Sequence, residues 1–483
     1  MRKSLGALVL ILVLFVSLTA VSYAEVNREG TEVEIKETVL YGEKSAAEGI
    51  EIGIPVSCNS RMFWDTDYTV GENSKTETEF TFFQNSHYEY SNNYGGFELT
   101  LYGGGGSSVS GGEMDLENTA PYGMAEIFQA VADRTAAGEE HTEELRLADY
   151  YDYYPLTGEV ILNGNMCLGD SGLLTEEEAQ ESGNAMSYLV GQYKIPVPED
   201  CIASISIRKS SQGNVVGYNY YMIDSGLGRL TSFSAVTPDT LYYAVDTRTE
   251  NEDGSLSTME GMEDWHGIYR MTYQVVEDTY NTHVELDLEG IERVIPLDPE
   301  VIILEMQLSE DGSSLLLFTA ENGMCMLNVI DPATMETRQK LELMPYGQTA
   351  VSRDIIEGEN LLVWLLSDDR IAVITGPENG EYSLEFFAEL SIGEISEEME
   401  RVYLNTSRMS VDYAGGKLAV AYPLGYHYYE MVSNSCTFWL MVYDEDGLRY
   451  CGEYQASQGI GEYYSSQNCL IRDDVNMTVK WGE

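Results

Sequence analysis

Residues 300–345 contain four short apolar segments separated by turns, and this pattern restricts the fold of the chain more than any other feature. The turns fall at residues 309–312, 321–323 and 331–334, where Asp, Asn, Gly and Pro supply the residues that tight turns favour. We therefore predict four consecutive antiparallel strands that form one small sheet.

The same unit recurs towards the C-terminus. The second-strand run at residues 314–317 has counterparts at residues 370–373 and 417–420, and the third-strand run at residues 327–331 recurs almost letter for letter at residues 440–444. A four-strand unit with a period of about 40 to 50 residues is typical of a β-propeller blade. We therefore predict an all-β fold, a β-propeller of about seven four-stranded blades.

Several predicted strands are apolar at every position, as in residues 314–318, and not only at alternate positions. A strand that is buried on both faces has this composition, and each propeller blade lies between two others. We therefore favour a propeller over a sandwich with one wet face. The clearest blades span residues 300–455, and we expect the tail at residues 468–481 to pair with N-terminal strands and close the ring.

The turn Ser309-Glu310-Asp311-Gly312 and the strands that follow it to residue 334 resemble YVTN-type and tryptophan–aspartate-repeat β-propellers. This resemblance implies the fold but no activity, because propellers serve many functions. Residues 145–155 also resemble stretches of secreted proteins from anaerobic Firmicutes, and that resemblance implies no activity either.

The N-terminus has the composition of an export signal. A basic start at Arg2 and Lys3 precedes an apolar run at residues 5–21 and then Ser22-Tyr23-Ala24, with small residues at the two positions that a signal peptidase reads. We predict a signal peptide at residues 1–24 and a propeller domain at residues 25–483, secreted or held at the cell envelope. The alternative is an uncleaved anchor.

Two short helical insertions are expected within residues 121–190. Residues 121–135 place apolar side chains at helical spacing, and Thr175 with Glu178 has the pattern of a capping box that starts a second helix. The Gly/Ser-rich residues 103–113 are predicted to be a flexible surface loop.

The chain has 81 acidic and 26 basic residues, a net charge of −55. This excess disfavours nucleic acids and anionic membranes as partners, because phosphate binding requires Lys and Arg. We expect a soluble monomer with no integral membrane span beyond the signal segment, whose partner is an extracellular protein or a glycan. The acidic surface is interpreted as a solvated face; the alternative is weak binding of divalent cations or of a basic partner.

The chain contains seven cysteines, an odd number, so at least one of them is not paired in a disulfide within the chain. Their apolar settings favour buried thiols within strands, as for Cys325 between two methionines. A bridge between Cys451 and Cys469 on neighbouring strands remains an alternative.

Four motifs are similar to known functional sites. Gly169-Asp170-Ser171-Gly172 is similar to a serine-protease nucleophile motif, but only His141 lies nearby upstream as a base, so a turn is predicted. Asp65 and Asp67 begin like a calcium loop, yet Gly71 is one position late, and a surface turn is predicted.

Residues 410–416 are a near match to the Asp-box of sialidases, and the glycines before Lys417 lead into a predicted strand and not into the helix of a phosphate loop. The five histidines, at positions 87, 141, 266, 283 and 427, show no metal-ligand spacing, and no CxxC motif occurs. We therefore predict no catalytic, cofactor-binding or metal-binding residues and no cofactor.

Tyrosine is abundant, with 35 residues and clusters at 150–154, 218–221, 426–429 and 463–464. Half-buried packing in strands explains such clusters, and a ligand face for sugars or peptides is the alternative. The function favoured is a non-catalytic binding or scaffolding module. The alternative is a glycan-active hydrolase or lyase that uses paired carboxylates in the central channel.

Overall fold

The computed structural model describes residues 2–58, 62–82, 96–101, 107–120, 124–153, 156–162, 165–168, 188, 191–197, 199, 201–223, 231–250, 256–258, 262–277, 282–347, 352–378, 381–390, 395, 409–424, 436–457, 469–471 and 476–482. The chain forms two compact units. Unit 1 comprises Met1–Tyr90 and Ala350–Glu483, and unit 2 comprises Ser91–Thr349. Unit 1 is therefore built from both ends of the chain. The prediction of a single propeller domain at residues 25–483 stays a prediction.

The described elements are mainly strands. The helices are α1 (Arg2–Gly30), α2 (Leu116–Thr119) and α3 (Ala125–Arg134), and four 3-10 turns lie at Lys44–Ala47, Leu147–Asp149, Glu263–Trp265 and Leu288–Gly290. The first strands are β1 (Glu34–Gly42), β2 (Ile50–Cys58), β3 (Met62–Thr69), β4 (Lys75–Phe82), β5 (Gly96–Leu101), β6 (Ser107–Ser110), β7 (Glu140–Arg146), β8 (Leu156–Leu162), β9 (Asn165–Leu168), β10 (Ile202–Lys209) and β11 (Val215–Ile223).

The later strands follow in chain order. They are β12 (Thr231–Val236), β13 (Thr240–Val245), β14 (Arg248–Glu250), β15 (Leu256–Thr258), β16 (Gly267–Glu277), β17 (Thr282–Leu286), β18 (Glu292–Pro296), β19 (Ile302–Leu308), β20 (Leu315–Glu321), β21 (Met324–Ile330) and β22 (Thr337–Pro345). The last are β23 (Ser352–Gly358), β24 (Leu361–Leu366), β25 (Arg370–Glu378), β26 (Glu381–Glu389), β27 (Ser410–Ala414), β28 (Lys417–Pro423), β29 (Thr437–Asp444), β30 (Gly447–Ser457), β31 (Cys469–Ile471) and β32 (Thr478–Trp481).

The clearest blade of unit 2 is the antiparallel meander β19–β20–β21–β22. Leu315 lies opposite Leu308 on one side and Ile330 on the other, so neighbouring strands are joined by short turns. Gly312 and Gly323 occupy these turns with φ of 68° and 78°, a conformation that glycine adopts without strain. The four strands and three turns predicted for residues 300–345 are therefore confirmed.

The other sheets of unit 2 are also antiparallel. They are β6–β11–β10–β7, β12–β13–β16–β17 with β18 beside β16, the three-stranded β5–β8–β9 and the two-stranded ribbon β14–β15. Blades β12–β13–β16 and β19–β22 share one core, in which Tyr242 and Ile268 pack with Leu315 and Leu317.

Unit 1 contains the meanders β23–β24–β25–β26 and β27–β28–β29–β30. The predicted match between the third-strand runs 327–331 and 440–444 is confirmed. Residues 327–330 lie in β21 and residues 440–444 lie in β29, and each of these strands is the third of its meander. The match of residues 370–373 to a second strand is wrong, since Arg370 begins the third strand, β25. The second strand is β24, whose six residues Leu361–Leu366 are all buried.

Strand β28 shows why whole strands are apolar. Leu418 and Val420 pack in a core shared with β23–β26, whereas Ala419 and Ala421 pack on the opposite face in a core shared with β2 and β3. A strand held between two sheets has no face for polar residues, as predicted. The fold class is all-β with the stacked four-stranded blades of a β-propeller. Six sheets of four or five strands lie in the described ranges, and the number of blades and the closure of the ring stay predictions.

Both chain ends contribute strands to blades of unit 1. At the C-terminus, β31 and β32 pair with β2, with Ile471 opposite Val56 and Val479 opposite Ile52. At the N-terminus, β1 extends β27–β30 as a fifth strand. The predicted pairing of the tail with N-terminal strands is confirmed.

The helices only partly match the prediction. α3 falls within the helix predicted at residues 121–135, and it buries Ile127, Phe128 and Val131 against β10 and its neighbours. The helix predicted from Thr175 lies outside the described residues. The flexible loop predicted at residues 103–113 is wrong in part, because Ser107–Ser110 forms β6 and pairs with β11. An edge strand requires only backbone hydrogen bonds, so poor packing residues do not prevent it.

Helix α1 is long and apolar enough to cross a membrane over Ile11–Arg28, with mean hydropathy 1.3, a property that an export signal near the N-terminus shares. The first blade consists of β2, β3 and β4 with β31 and β32 beside β2. The end of α1 is bound to this blade, since Trp64 Nε1 donates to the Gly30 carbonyl at 2.8 Å. The signal peptide at residues 1–24 stays a prediction.

The cysteine alternative is wrong. Cys451 is a free, fully buried thiol opposite Met441, and Cys469 lies opposite Cys58 in the β2–β31 pair. Burial raises the pKa of the Cys451 thiol to about 12, because the thiolate loses its hydration.

Candidate functional site

Four charged or titratable side chains meet at one end of the blade β12–β13–β16 in unit 2. Asp246 and Arg248 follow strand β13, His266 precedes β16, and Arg293 lies on β18. Arg248 Nε donates to Asp246 Oδ1 at 2.8 Å, and its Nη2 donates to Oδ2, which makes the pair bidentate. The Arg248 and Asp246 side chains are only 7% and 13% exposed, so the pair is shielded from water.

His266 is fully buried, and both ring nitrogens bind backbone groups. Nδ1 accepts the Thr247 N–H at 3.3 Å, which leaves the ring proton on Nε2, and this proton is donated to the Val301 carbonyl at 2.9 Å. Asp246 Oδ1 lies 3.7 Å from Nδ1. Burial lowers the pKa of His266 because it disfavours the charged ring, although Asp246 acts in the opposite direction.

Backbone contacts complete this group, which we call the His266 cluster: Asp246, Thr247, Arg248, His266 and Arg293. Arg293 Nη2 donates to the His266 carbonyl at 2.6 Å and Nη1 donates to the Asp264 carbonyl. The Thr247 hydroxyl and Arg293 Nε are buried without a hydrogen-bond partner among the described residues. Because both nitrogens of His266 are occupied by backbone, the ring is not placed to act as a general base.

An aromatic group lies in the main core of unit 2, which also contains residues of β13 and β16. Tyr193 and Tyr243 share a hydrogen bond of 2.7 Å between their hydroxyls, and the Tyr243 ring stacks on Tyr269 with centroids 5.5 Å apart. Trp265 packs on Tyr193. Burial raises the pKa of Tyr269 to about 12 and that of Tyr193 well above its usual range. These hydroxyls are therefore neutral and structural.

A second polar group joins β1 to β30 in unit 1. Tyr450 Oη donates to Glu37 Oε1 at 2.9 Å, and the Tyr450 and Tyr454 hydroxyls are 2.7 Å apart. Lys44 Nζ forms an ion pair with the other oxygen of Glu37. The Glu37 side chain is 13% exposed, and its oxygens are bound within the protein.

The predicted turn at residues 65–69 is wrong, and so is a calcium loop there, because this segment lies in strand β3. Thr66 and Tyr68 are buried, whereas Asp65 and Asp67 are exposed on the opposite face. On the neighbouring strand β4, Glu79 lies opposite Asp65 and Glu77 lies opposite Asp67. The alternation of the strand therefore collects four carboxylates on one face, which we call the β3–β4 carboxylate face.

The other sequence motifs form no site in the described part of the chain. Ser171 lies outside the described residues, and His141 lies on β7 with its side chain 45% exposed. Residues 410–416 form β27 and a turn that leads into β28, as predicted for Lys417. The described residues contain no group of three or more His, Cys, Asp or Glu side chains that could hold a metal ion.

The tyrosine clusters that can be described serve mainly for packing. Tyr218 and Tyr220 are buried, and Phe128 contacts both rings. Tyr221 on the opposite face of β11 is 47% exposed, and Tyr153 is 41% exposed. The clusters at residues 426–429 and 463–464 lie outside the described residues.

Sequence reasoning missed the His266 cluster. Its three parts, residues 246–248, His266 and Arg293, are separated along the chain and come together because β13, β16 and β18 are neighbours in one sheet. The available signal was the charged Asp246-Thr247-Arg248 segment directly after an apolar strand, since functional residues are concentrated on loops that a rigid scaffold positions.

No protein-family model matches the chain, and no curated protein matches it. Among solved structures, the β-propeller domain of Cps50 (Swd1) from Myceliophteria thermophila is 11% identical with a TM-score of 0.22, over 51% of this chain and 80% of that one. The structure of a putative 6-phosphogluconolactonase from Bacteroides uniformis is 11% identical with a TM-score of 0.22, over 71% of this chain and 99% of that one.

The periplasmic gluconolactonase PpgL from Pseudomonas aeruginosa is 13% identical with a TM-score of 0.23, over 52% of this chain and 76% of that one. These similar structures include both a propeller domain of no stated activity and lactonase-like enzymes. With TM-scores this low, the assignment to the β-propeller fold rests on the strand pairing and blade packing of this chain.

Proposed function

We propose that this chain is an exported, non-catalytic binding or scaffolding β-propeller. The observation that carries the proposal is that three enclosed ionisable side chains of the His266 and Glu37 groups, in the described part of the chain, are bound by internal partners. Asp246 is bound by Arg248, Glu37 by Lys44 and Tyr450, and His266 by two backbone groups. An acid–base catalyst must instead be able to reach a proton on its substrate.

The proposed partner is an extracellular protein or a glycan. The net charge of −55 supports this, because such a surface repels nucleic acids and anionic lipids. The apolar and exposed α1 supports export. Secretion or retention at the cell envelope is part of this proposal.

The test is a binding screen of residues 25–483 against glycans, cell-wall polymers and extracellular proteins, combined with product analysis of every glycan that binds. We expect binding that survives added salt, with no product formed. Release of shortened or unsaturated sugars would overturn the proposal in favour of a hydrolase or lyase, in which two carboxyl groups act together. Binding that disappears with modest salt would indicate only general attraction to the acidic surface.

A further inference from the structure

His266 connects three segments of unit 2 at one end of a blade. Its side chain bonds Thr247, which links β13 to the ribbon β14–β15, and Val301, which directly precedes β19. Its carbonyl accepts from Leu297 N at 3.1 Å and from Arg293. A change in the charge of this ring therefore acts on the base of the ribbon and on the start of the next blade.

Protonation of His266 has one available position. Nε2 already carries a proton, so an incoming proton must bind Nδ1, whose lone pair accepts the Thr247 N–H. Two N–H groups would then face each other, and that hydrogen bond is lost.

The charged groups that face the ring determine which partner a protonated His266 can gain. Arg248 and Arg293 oppose a positive ring, whereas Asp246, with Oδ1 at 3.7 Å from Nδ1, favours it. That oxygen already accepts from Arg248 N at 3.1 Å and from Arg248 Nε. A protonated His266 therefore competes with Arg248, the first residue of β14, for the same carboxylate.

We propose that the His266 cluster is an acid-responsive latch, in which protonation of His266 at Nδ1 breaks its bond to Thr247, draws Asp246 away from Arg248 and releases the ribbon β14–β15 from the blade. The latch is closed at neutral pH and opens on acidification. It is independent of the binding function proposed above, because it concerns the order of the ribbon and not the identity of a ligand.

The direction of the effect follows from proton linkage. In the open state, His266 titrates near its ordinary pKa of about 6.5, whereas burial lowers the pKa of the closed state. Between these two values the open state binds more protons, so the closed state loses stability as the pH falls. For one proton, the opening equilibrium constant rises by up to about tenfold for each pH unit in this interval.

The test is hydrogen–deuterium exchange of the full chain between pH 7 and pH 5, corrected for intrinsic exchange. In the wild type, we expect peptides that cover residues 246–258 to show opening that increases up to about tenfold per pH unit below about 6.5. His266→Gln retains a donor towards Val301 and an amide oxygen towards Thr247 but cannot titrate, so its profile should be flat. His141→Gln is the matched control on an exposed histidine and should behave like the wild type.

A flat wild-type profile, or a His266→Gln profile that rises like the wild type, would overturn the latch. If His266→Gln does not fold, ¹⁵N NMR of the wild-type imidazoles decides between the outcomes. Protonation of His266 together with ribbon opening supports the proposal. Ribbon opening while the ring stays neutral, or protonation without opening, contradicts it.

Discussion

The hydrogen bonds among Glu37, Tyr450 and Tyr454 have a determined direction, and this direction predicts which hydroxyl matters more. A carboxylate can only accept, so Tyr450 donates to Glu37 and must accept the proton of Tyr454. Both tyrosine side chains are fully buried. Tyr450 is therefore the central member of the chain, and Tyr454 is its end.

Tyr450→Phe should destabilise the protein more than Tyr454→Phe. Tyr450→Phe removes two hydrogen bonds and leaves the Tyr454 hydroxyl and a Glu37 oxygen buried without that partner, at about 1–3 kcal/mol. Tyr454→Phe removes only the bond that Tyr454 donates to Tyr450 and should cost about 0.5–1.5 kcal/mol. Urea denaturation of both variants measures the difference. Equal costs, or a larger cost for Tyr454→Phe, would contradict this bonding direction.

The β3–β4 carboxylate face places like charges directly opposite each other at the scale of a strand pair. Asp65 faces Glu79, and Asp67 faces Glu77, which has an ion pair with the exposed Lys75. Like charges at opposed positions of an antiparallel pair are destabilising. The sheet carries this cost because burial of Thr66 and Tyr68 on its other face determines the register.

Glu79→Gln should therefore stabilise the protein, by about 0.2–1 kcal/mol at low ionic strength. The gain should shrink as salt is added, because ions screen exposed charges. Thermal denaturation at two salt concentrations measures both effects. Glu72→Gln, in the exposed turn before β4, is the matched control and should leave the stability nearly unchanged; an equal gain there would attribute the effect to net charge alone.

Strand β32 completes the first blade through alternate residues. Val479 is buried opposite Ile52, whereas Lys480 between Val479 and Trp481 is exposed. Val479→Ala should cost about 1–3 kcal/mol, from lost apolar burial and the cavity left behind. Lys480→Ala should change the stability by less than about 0.5 kcal/mol. Chemical denaturation compares them, and similar costs would show that β32 is not packed in this register.

The sequence predicts elements well where composition and position agree. Residues 300–345 were assigned correctly because glycines with positive φ mark the turns around strands that are apolar throughout. The prediction that residues 370–373 form a second strand is wrong, because they begin the third strand. The turn before Arg370 has the same acidic composition as the turn before β20, so composition does not distinguish the two. The turn predicted at Asp65 and Asp67 is wrong because a strand with one charged face has few apolar residues to identify it.

The candidate site was less predictable than the fold. The bond from His266 to Val301 joins residues that are 35 positions apart, and no local pattern indicates such a contact. Periodicity reports which face of an element is buried, but it does not report which loops meet at the end of a blade. The His266 cluster could therefore be identified only from the paired strands.

At the scale of the whole molecule, unit 1 combines residues from both chain ends, whereas unit 2 is continuous. Strands β2, β3 and β4 depend on β31 and β32 for their remaining neighbour, and β1 depends on β30. A three-stranded sheet that lacks partners on an apolar face has little independent stability. Residues 25–90 should therefore not fold alone.

Coexpression of residues 25–90 with residues 91–483 as two separate chains should restore the fold. We expect the two chains to copurify and to elute together on gel filtration, because the β1–β30 and β2–β32 pairings can form between chains. Residues 91–476, which lack β32, provide the control and should retain less of the short chain. A folded short chain in isolation would contradict this dependence.

The pairing of β32 with β2 also has a consequence for the order in which the protein matures. The sheet of β2, β3 and β4 lacks one of its strands until Thr478–Trp481 have been made, more than 400 residues after β2 in the chain. If export proceeds from the N-terminus, the edge of this blade at β2 stays unpaired while most of the chain is still being made. A chain that stops before β32 cannot cover that edge, so synthesis as far as Trp481 is required before this blade can complete its sheet.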